Sequence, residues 1–293
     1  MDRKRFIKTI GLSSLGLEHF IKPNNLKVNS KMNKNSNSYK KIAILADIHG
    51  NSFALKSILE DIDKRGIKNT INLGDIFYGP LNPHETFDLL LKHPIKHIAG
   101  NMDRYVMEVT IDNIPNPTIP LSNQTMRYVV DSIDKKGQQW IHNLPKSLQS
   151  DGLIYACHGN LLTDDLPLVE QITKEGILLK NDEILTNTLK NMTETIILCA
   201  HTHVGRLTQL NSSKIIINPG SVGLPAYTDE SPFPHKMENN SPFAKYCVIE
   251  IQDGLLVSHQ SISIKYDWDS ASKLAEKNNR LDWKQWLKFG KDK

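Results

Sequence analysis

From Lys41 onward, apolar positions follow two rhythms. IAILAD (42–47) is an unbroken apolar run closed by an acid, as expected of a strand buried on both faces. Leu55, Ile58, Leu59 and Ile62 then recur at helical spacing until Gly66 stops them. TINLGD (70–75) reads as a second strand. Pro83 opens a helix with Phe87, Leu90 and Leu91 on one face, ended by Pro94, and IKHIAGN (95–101) is a third strand. This β-α-β-α-β order predicts parallel strands with crossover helices. A longer helix is expected over about 124–143, where Met126, Val129, Val130, Ile133, Trp140 and Ile141 keep one stripe. GLIYACHG (152–159), TIILCAH (195–201) and KIIINPG (214–220) read as strands, and 244–251 with 254–265 as an antiparallel edge pair. Residues 223–243 hold four prolines and no periodicity; they read as an ordered loop beside a site or as a surface insertion. The stretch 266–290 gives one or two short amphipathic helices, with Leu274, Leu281, Trp283, Trp286 and Leu287 packing on the domain surface or, alternatively, binding a partner.

Composition narrows the class. With 39% hydrophobic and 23% charged residues in 293, a packed core is expected and wholesale disorder is not. The net charge of +4 is unevenly placed: residues 1–41 hold ten Lys/Arg against Asp2 and Glu18, which leaves the rest mildly acidic. The basic balance is therefore no argument for a stable nucleic-acid partner. Cys157, Cys199 and Cys247 each sit in an apolar run and read as small core residues, not as a disulfide framework. No apolar run is long enough for a transmembrane anchor. The start, DRKRFIKTIGLSSLGL (2–17), resembles a twin-arginine export signal with Arg3-Lys4 in place of the pair; the other reading is a loosely helical basic leader. Residues 22–39 read as a flexible Asn/Ser/Lys-rich linker. The location is then cytoplasmic, or periplasmic if the leader functions.

The chemistry lies where the strands end. Asp47 and His49 follow the first run, Asp75 the second and Asn101 the third; His158 follows GLIYAC, and His201 and His203 follow TIILCA. Ligands of open α/β sheets gather at such carboxyl edges. Two Asp, one Asn and four His suit Mn, Fe, Zn or Ni better than Ca, and no cysteine joins them as in a structural zinc site. Seven donors are too many for one ion and suit two. A shared carboxylate, here Asp75, would hold them about 3.5–4 Å apart, a spacing used in phosphoryl chemistry. No G-x-G-x-x-G follows the first strand, so a dinucleotide-binding protein is disfavoured.

DIHGN, GDIFYGP, GNMD, HG, HTH and NPGSVG stand here in the order and spacing of the calcineurin-like metallophosphoesterases, and the chain resembles their bacterial and archaeal phosphodiesterase branch over about 41–265. The resemblance implies an α/β fold, a four-layer α-β-β-α sandwich, with a two-metal site at the carboxyl ends of the strands. With the composition of the start and the amphipathic end, the chain divides into a leader and linker (1–40), the phosphoesterase domain (41–265) and a helical tail (266–293). It implies that one ion takes Asp47, His49, Asp75 and His203 and the other Asp75, Asn101, His158 and His201, with Mn the first choice and Mg also admissible. Asp75, Asn101 and His158 would act with a metal-activated water on a small-molecule phosphodiester or phosphomonoester, nucleotides included. Diadenosine-tetraphosphatase-like or phosphoprotein phosphatase activity is the alternative, as is a scaffold whose site has decayed.

One position departs from the family. Many members carry GNH[DE], whose His can protonate the leaving group; here Met102 stands there, followed by Asp103. His235, in FPHKME, is the replacement candidate, with an exposed surface histidine as its plain reading. Arg104, Tyr105, Tyr78 and Asn82 are candidates to line the substrate pocket. NPGSVG reads as a structural loop behind the metals, with anion binding as a second role.

Overall fold

The computed structural model describes residues 38–108 and 121–293. The leader and linker expected over 1–40 lie outside these residues except at their end. There β1 (Tyr39–Leu45) begins two residues earlier than the expected boundary. It is followed by α1 (Ser52–Lys64), β2 (Asn69–Asn72), α2 (Pro83–Leu91) and β3 (Ile95–His97), and the three strands are parallel as the pattern predicts. Asn51 starts α1 by accepting the amide of Ala54 at 3.1 Å, and Pro83 occupies the first turn of α2. α3 (Asn101–Glu108) begins where the third strand was expected to end.

The long helix expected over 124–143 is two helices, α4 (Leu121–Ser132) and α5 (Lys135–His142). The break is at Asp134, whose extended backbone lets its carboxylate cap Gly137 N at 2.7 Å. The apolar stripe runs unbroken across it because both helices face the same core. Next come β4 (Ser147–Ser150), β5 (Ile154–Cys157), the ribbon β6 (Glu170–Thr173) and β7 (Gly176–Leu179), then α6 (Asp182–Thr188), β8 (Ile196–Leu198), β9 (Arg206–Gln209) and β10 (Ile215–Asn218).

The proline-rich stretch, expected as an ordered loop beside a site or a surface insertion, holds a hairpin, β11 (Ala226–Asp229) with β12 (His235–Glu238). Its strands are four residues each, too short and too polar to show alternation. β13 (Ala244–Gln252) and β14 (Leu255–Ile264) are antiparallel as read, but only β14 is an edge, since β13 also pairs with β1. The tail forms α7 (Trp268–Lys277) and α8 (Leu281–Phe289).

Among the described residues the strands make two five-stranded sheets, β14-β13-β1-β2-β3 and β4-β5-β8-β10-β9. Alternate side chains of each central strand enter different cores. Ile42 and Ile44 of β1 meet Ile154, Ile196, Leu198 and Ile217 between the sheets, while Ala43 and Leu45 face helices α1, α2, α4, α7 and α8. Ile197 and Ile216 turn outward from the second sheet onto Leu185 and Leu189 around α6. Both faces of these strands are therefore buried, which is why IAIL and IIL are continuous apolar runs. The result is a helix-sheet-sheet-helix sandwich. Its second outer layer is thin, made of α6 and the β6–β7 ribbon. All three cysteines are buried and free, and no described helix is long and apolar enough to cross a membrane.

Candidate metal centre

The strand-end residues converge at one end of the seam between the sheets. Asp47 and His49 follow β1, Asp75 follows β2 and Asn101 follows β3; His158 follows β5, while His201 and His203 follow β8. The chain bends sharply at these points. Asp47, His49, Asp75, His201 and His203 all have positive φ, between 52° and 72°. For residues other than glycine this conformation costs about 1–3 kcal/mol each and persists only where the surroundings fix it. Here they do. Asp47 N and His49 N donate to the carbonyls of Gly74 and Asp75 at 3.0 and 2.9 Å, and Ser221 Oγ donates to Asp47 O at 2.9 Å.

Three imidazoles are oriented by backbone carbonyls. His49 Nδ1 donates to Tyr78 O at 2.7 Å, His203 Nδ1 to Leu224 O at 2.7 Å and His158 Nδ1 to Leu73 O at 2.8 Å. A carbonyl only accepts, so Nδ1 carries a proton in each ring and Nε2 points inward as the atom left to coordinate. The Nε2 atoms of His49 and His203 are 3.1 Å apart. His158 Nε2 lies 3.5 Å from Asp75 Oδ2, and His203 Nε2 lies 3.6 Å from Asp47 Oδ1. One donor from each of Asp47, His49, Asp75 and His203 falls within 4.8 Å of the others. The second set is met pairwise: His158 beside Asp75, and His201 Nδ1 3.2 Å from Asn101 Oδ1.

These groups fit a divalent cation. Both carboxylate oxygens of Asp47 and the Nε2 of His158 are buried with no hydrogen-bond partner, a costly arrangement for polar groups unless they coordinate. Asp47, Asp75 and Asp103 concentrate negative charge in one buried site. Burial, reinforced by Asp75 and opposed by His158, lifts Asp47 well above the carboxylate range. Burial also works against a proton on His158, yet Asp75 and Asp47 outweigh it and raise the imidazole to about 10.

Asp75 is held so that one oxygen faces both His49 and His158. Its Oδ1 accepts the amide of Met102 at 2.9 Å, leaving Oδ2 toward His49 and His158. Gly100 makes this possible, because a Cβ there would sit 2.1 Å from Asp75 Oδ1. Asp103 is a tie, not a donor: its two oxygens accept Ile76 N at 2.8 Å and Gly100 N at 3.0 Å, joining the ends of β2 and β3. NPGSVG also braces the centre, as Asn218 Nδ2 donates to Ala200 O at 3.0 Å and Val222 N to Ala46 O at 2.9 Å.

With this geometry established, a family profile described as the calcineurin-like phosphoesterase superfamily domain matches residues 41–240. The chain belongs to that superfamily. An uncharacterised protein of Methanocaldococcus jannaschii is 24% identical over 269 residues, covering 83% of this chain and 94% of its own. The crystal structure of a metallophosphoesterase from Sphaerobacter thermophilus superposes with a TM-score of 0.65 at 20% identity, over 86% of this chain and all of that one. A hypothetical protein from Pyrococcus horikoshii gives 0.67 at 18% identity, over 85% and 98%. The fold of this calcineurin-like phosphoesterase is thus the one its motifs imply.

Above the donors opens a cleft of about 810 Å³. Met102, Tyr78 and Tyr105 line it, as does His235, whose Nδ1 donates to Phe233 O at 2.8 Å. Arg104 does not. Its guanidinium binds Asp164 and Asp165 at 2.7 and 2.8 Å and faces a second, smaller cavity. Asn82 serves the start of α2, donating to Ser52 Oγ and Glu85. The sequence reading missed Tyr227, which stands edge-on to His203 at 4.7 Å, and the tail residues Arg280, Trp283 and Trp286, which wall the cleft. It also missed Asn51, which caps α1 and donates to Gly223 O at 2.8 Å; an Asn directly before an apolar helical stripe was the available signal.

Proposed function

We propose that this chain is a phosphoric ester hydrolase that uses two divalent ions to cleave a small-molecule phosphodiester or phosphomonoester. Asp47, His49, Asp75 and His203 would hold one ion and Asp75, Asn101, His158 and His201 the other, with manganese the first choice over Fe, Zn, Ni or Mg. Bound there, the ions supply Lewis acidity: they make water a nucleophile at neutral pH and neutralise charge on the phosphate oxygens. The observation that carries the reading is the buried, unpartnered Asp47 carboxylate facing inward-pointing Nε2 atoms.

The chain's own residues do the rest. Backbone carbonyls fix the imidazoles before substrate arrives, so no reorganisation is needed during reaction. Met102 carries no proton to give. His235 has its Nδ1 hydrogen fixed on a carbonyl, which leaves Nε2 for the leaving group, and it gives that group a proton from the imidazolium form. Tyr78 contributes to substrate binding from the cleft wall. Arg104 acts indirectly, through Asp165, which accepts the Tyr105 hydroxyl at 2.7 Å. Donors buried beneath a walled cleft favour a small substrate over a phosphoprotein, and seven intact donor positions disfavour a decayed scaffold. The test is metal analysis of the purified protein followed by a panel of phosphodiesters, phosphomonoesters and dinucleotides. Metal-dependent hydrolysis of one class is expected; a metal-free protein inert on all of them would overturn the reading.

A further inference from the structure

The two facing imidazoles of the centre, His49 and His203, take their orientation from Tyr78 O and Leu224 O. These carbonyls lie on segments far apart in sequence: the loop after β2 and the stretch leading into β11. One piece of chain, beyond residue 240 where the family match ends, grips the first segment directly and the second through residues 238–241, where Asn239 Nδ2 donates to Pro225 O at 2.9 Å, next to Leu224.

On the first side, Asn278 Nδ2 donates to Pro80 O at 2.7 Å. The Trp283 ring, 1% exposed, stands edge-on to His49 at 5.8 Å and 79° and to Tyr78 at 6.3 Å. There is no slack at this junction: a Cβ on Gly79 would lie 2.9 Å from the Trp283 ring and 2.3 Å from His49 O. Arg280 fixes the indole from behind, with its guanidinium 5.4 Å from the ring centroid and bonded to Thr125 Oγ1 at 2.6 Å. On the second side, Asn240 N donates to Gly290 O at 2.8 Å and Asp292 N to Glu238 Oε1 at 2.9 Å. Gly290 closes α8 in the left-handed conformation against Ser241, where a Cβ would be 2.2 Å from Ser241 O.

We propose that residues 278–292 form a strap that positions His49 and His203 for the first ion, with Trp283 as the positioning residue; this rests on the metal centre proposed above. Because the strap sets the separation of two Nε2 donors, ion binding and strap docking are thermodynamically coupled, and the coupling is reciprocal. Groups that orient a ligand from behind are typically worth about 10–100-fold in metal affinity.

The experiment uses the full chain and Mn²⁺ alone. Calorimetric titration of wild type, Trp283→Leu and Trp283→Phe is paired with hydrogen exchange of wild type with and without Mn²⁺. Trp283→Leu is expected to weaken one of the two binding steps by about 10–100-fold, and Trp283→Phe, which keeps an edge-on ring, to recover most of that loss. In wild type, Mn²⁺ is expected to slow exchange of the α8 amides while α6, on the opposite outer layer, is unchanged. If Trp283→Leu does not fold, the exchange measurement decides. Unaltered affinity in Trp283→Leu, or α8 exchange indifferent to bound Mn²⁺, would overturn the strap and leave the metal centre standing. A wild type that binds no Mn²⁺ would overturn both.

Discussion

The floor and the rim of the cleft are built differently. On the floor, Asp47, His158 and His203 are at most 3% exposed, and the backbone sets each imidazole direction there. On the rim, Met102, Tyr105, Tyr227 and His235 are half-buried, and side-chain contacts add to the carbonyl bonds of Tyr227 and His235: Tyr105 bonds Asp165, and Tyr227 stands edge-on to His235 at 6.2 Å. Backbone-set geometry survives exchange of neighbouring side chains, whereas a rim of side chains can be changed one residue at a time. The floor is therefore suited to a fixed chemistry and the rim to choice of substrate.

Substitutions on the floor should act on every substrate, and the largest should be Asp75→Asn. If this carboxylate is shared as proposed, its loss is expected to lower occupancy of both ions and to cut kcat/KM by about 10³-fold, since metal-ion charge stabilisation is worth several kcal/mol. Metal content and hydrolysis of an aryl phosphodiester measure both. A mutant that retained two ions and full activity would remove Asp75 from its bridging place.

The rim should instead discriminate among leaving groups. General acid catalysis typically contributes about 10²–10⁴-fold, so His235→Ala is expected to cost about 10²-fold on alkyl esters and little on aryl esters, whose leaving groups need no proton. Met102→His should raise activity on alkyl esters more than on aryl ones. A leaving-group dependence that is steep in wild type and unmoved by His235→Ala would show that His235 gives no proton.

Gly100→Ala probes the boundary between the two regions, because the new methyl must displace Asp75 Oδ1. A loss of about 10–100-fold in metal affinity is expected with the fold retained. Equal affinity in titration calorimetry would mean that Asp75 has freedom the structure does not show.

The smallest effect lies beneath the floor. His97, on β3, accepts from Asn72 Nδ2 at 3.2 Å and packs on Trp140, and burial lowers it to about 4. It is neutral in the fold, while the unfolded chain protonates it near pH 6.5. The stability it supplies is thus full above pH 6.5 and is lost as pH falls toward 4. Denaturant midpoints of His97→Gln should depend less on pH over that window than those of wild type. Parallel profiles would exclude His97 as the titrating group.

The same contrast explains what could be read from the chain beforehand. The floor was legible because each donor lies within five residues of the end of its strand, as with Asp47 and His49 after IAIL, and β1, β5 and β8 are apolar runs. The rim was not. Tyr227 and His235 sit on strands of four residues among prolines, and nothing local marks them as paired. Trp283 shows only helical spacing, and its contact with His49 spans more than 200 residues of sequence. The break at Asp134 was hidden because the apolar stripe continues across it, although Asp three residues before Gly137 is a cap in plain sight. Positive φ at aspartate and histidine has no sequence mark, since glycine is the residue expected there.

Anomalous diffraction from a crystal soaked in Mn²⁺ tests the central claim most directly. The account predicts two manganese peaks at the sheet seam, one bonded to Asp47, His49, Asp75 and His203, the other to Asp75, Asn101, His158 and His201. A single peak at saturating Mn²⁺, or peaks away from these residues, would contradict it.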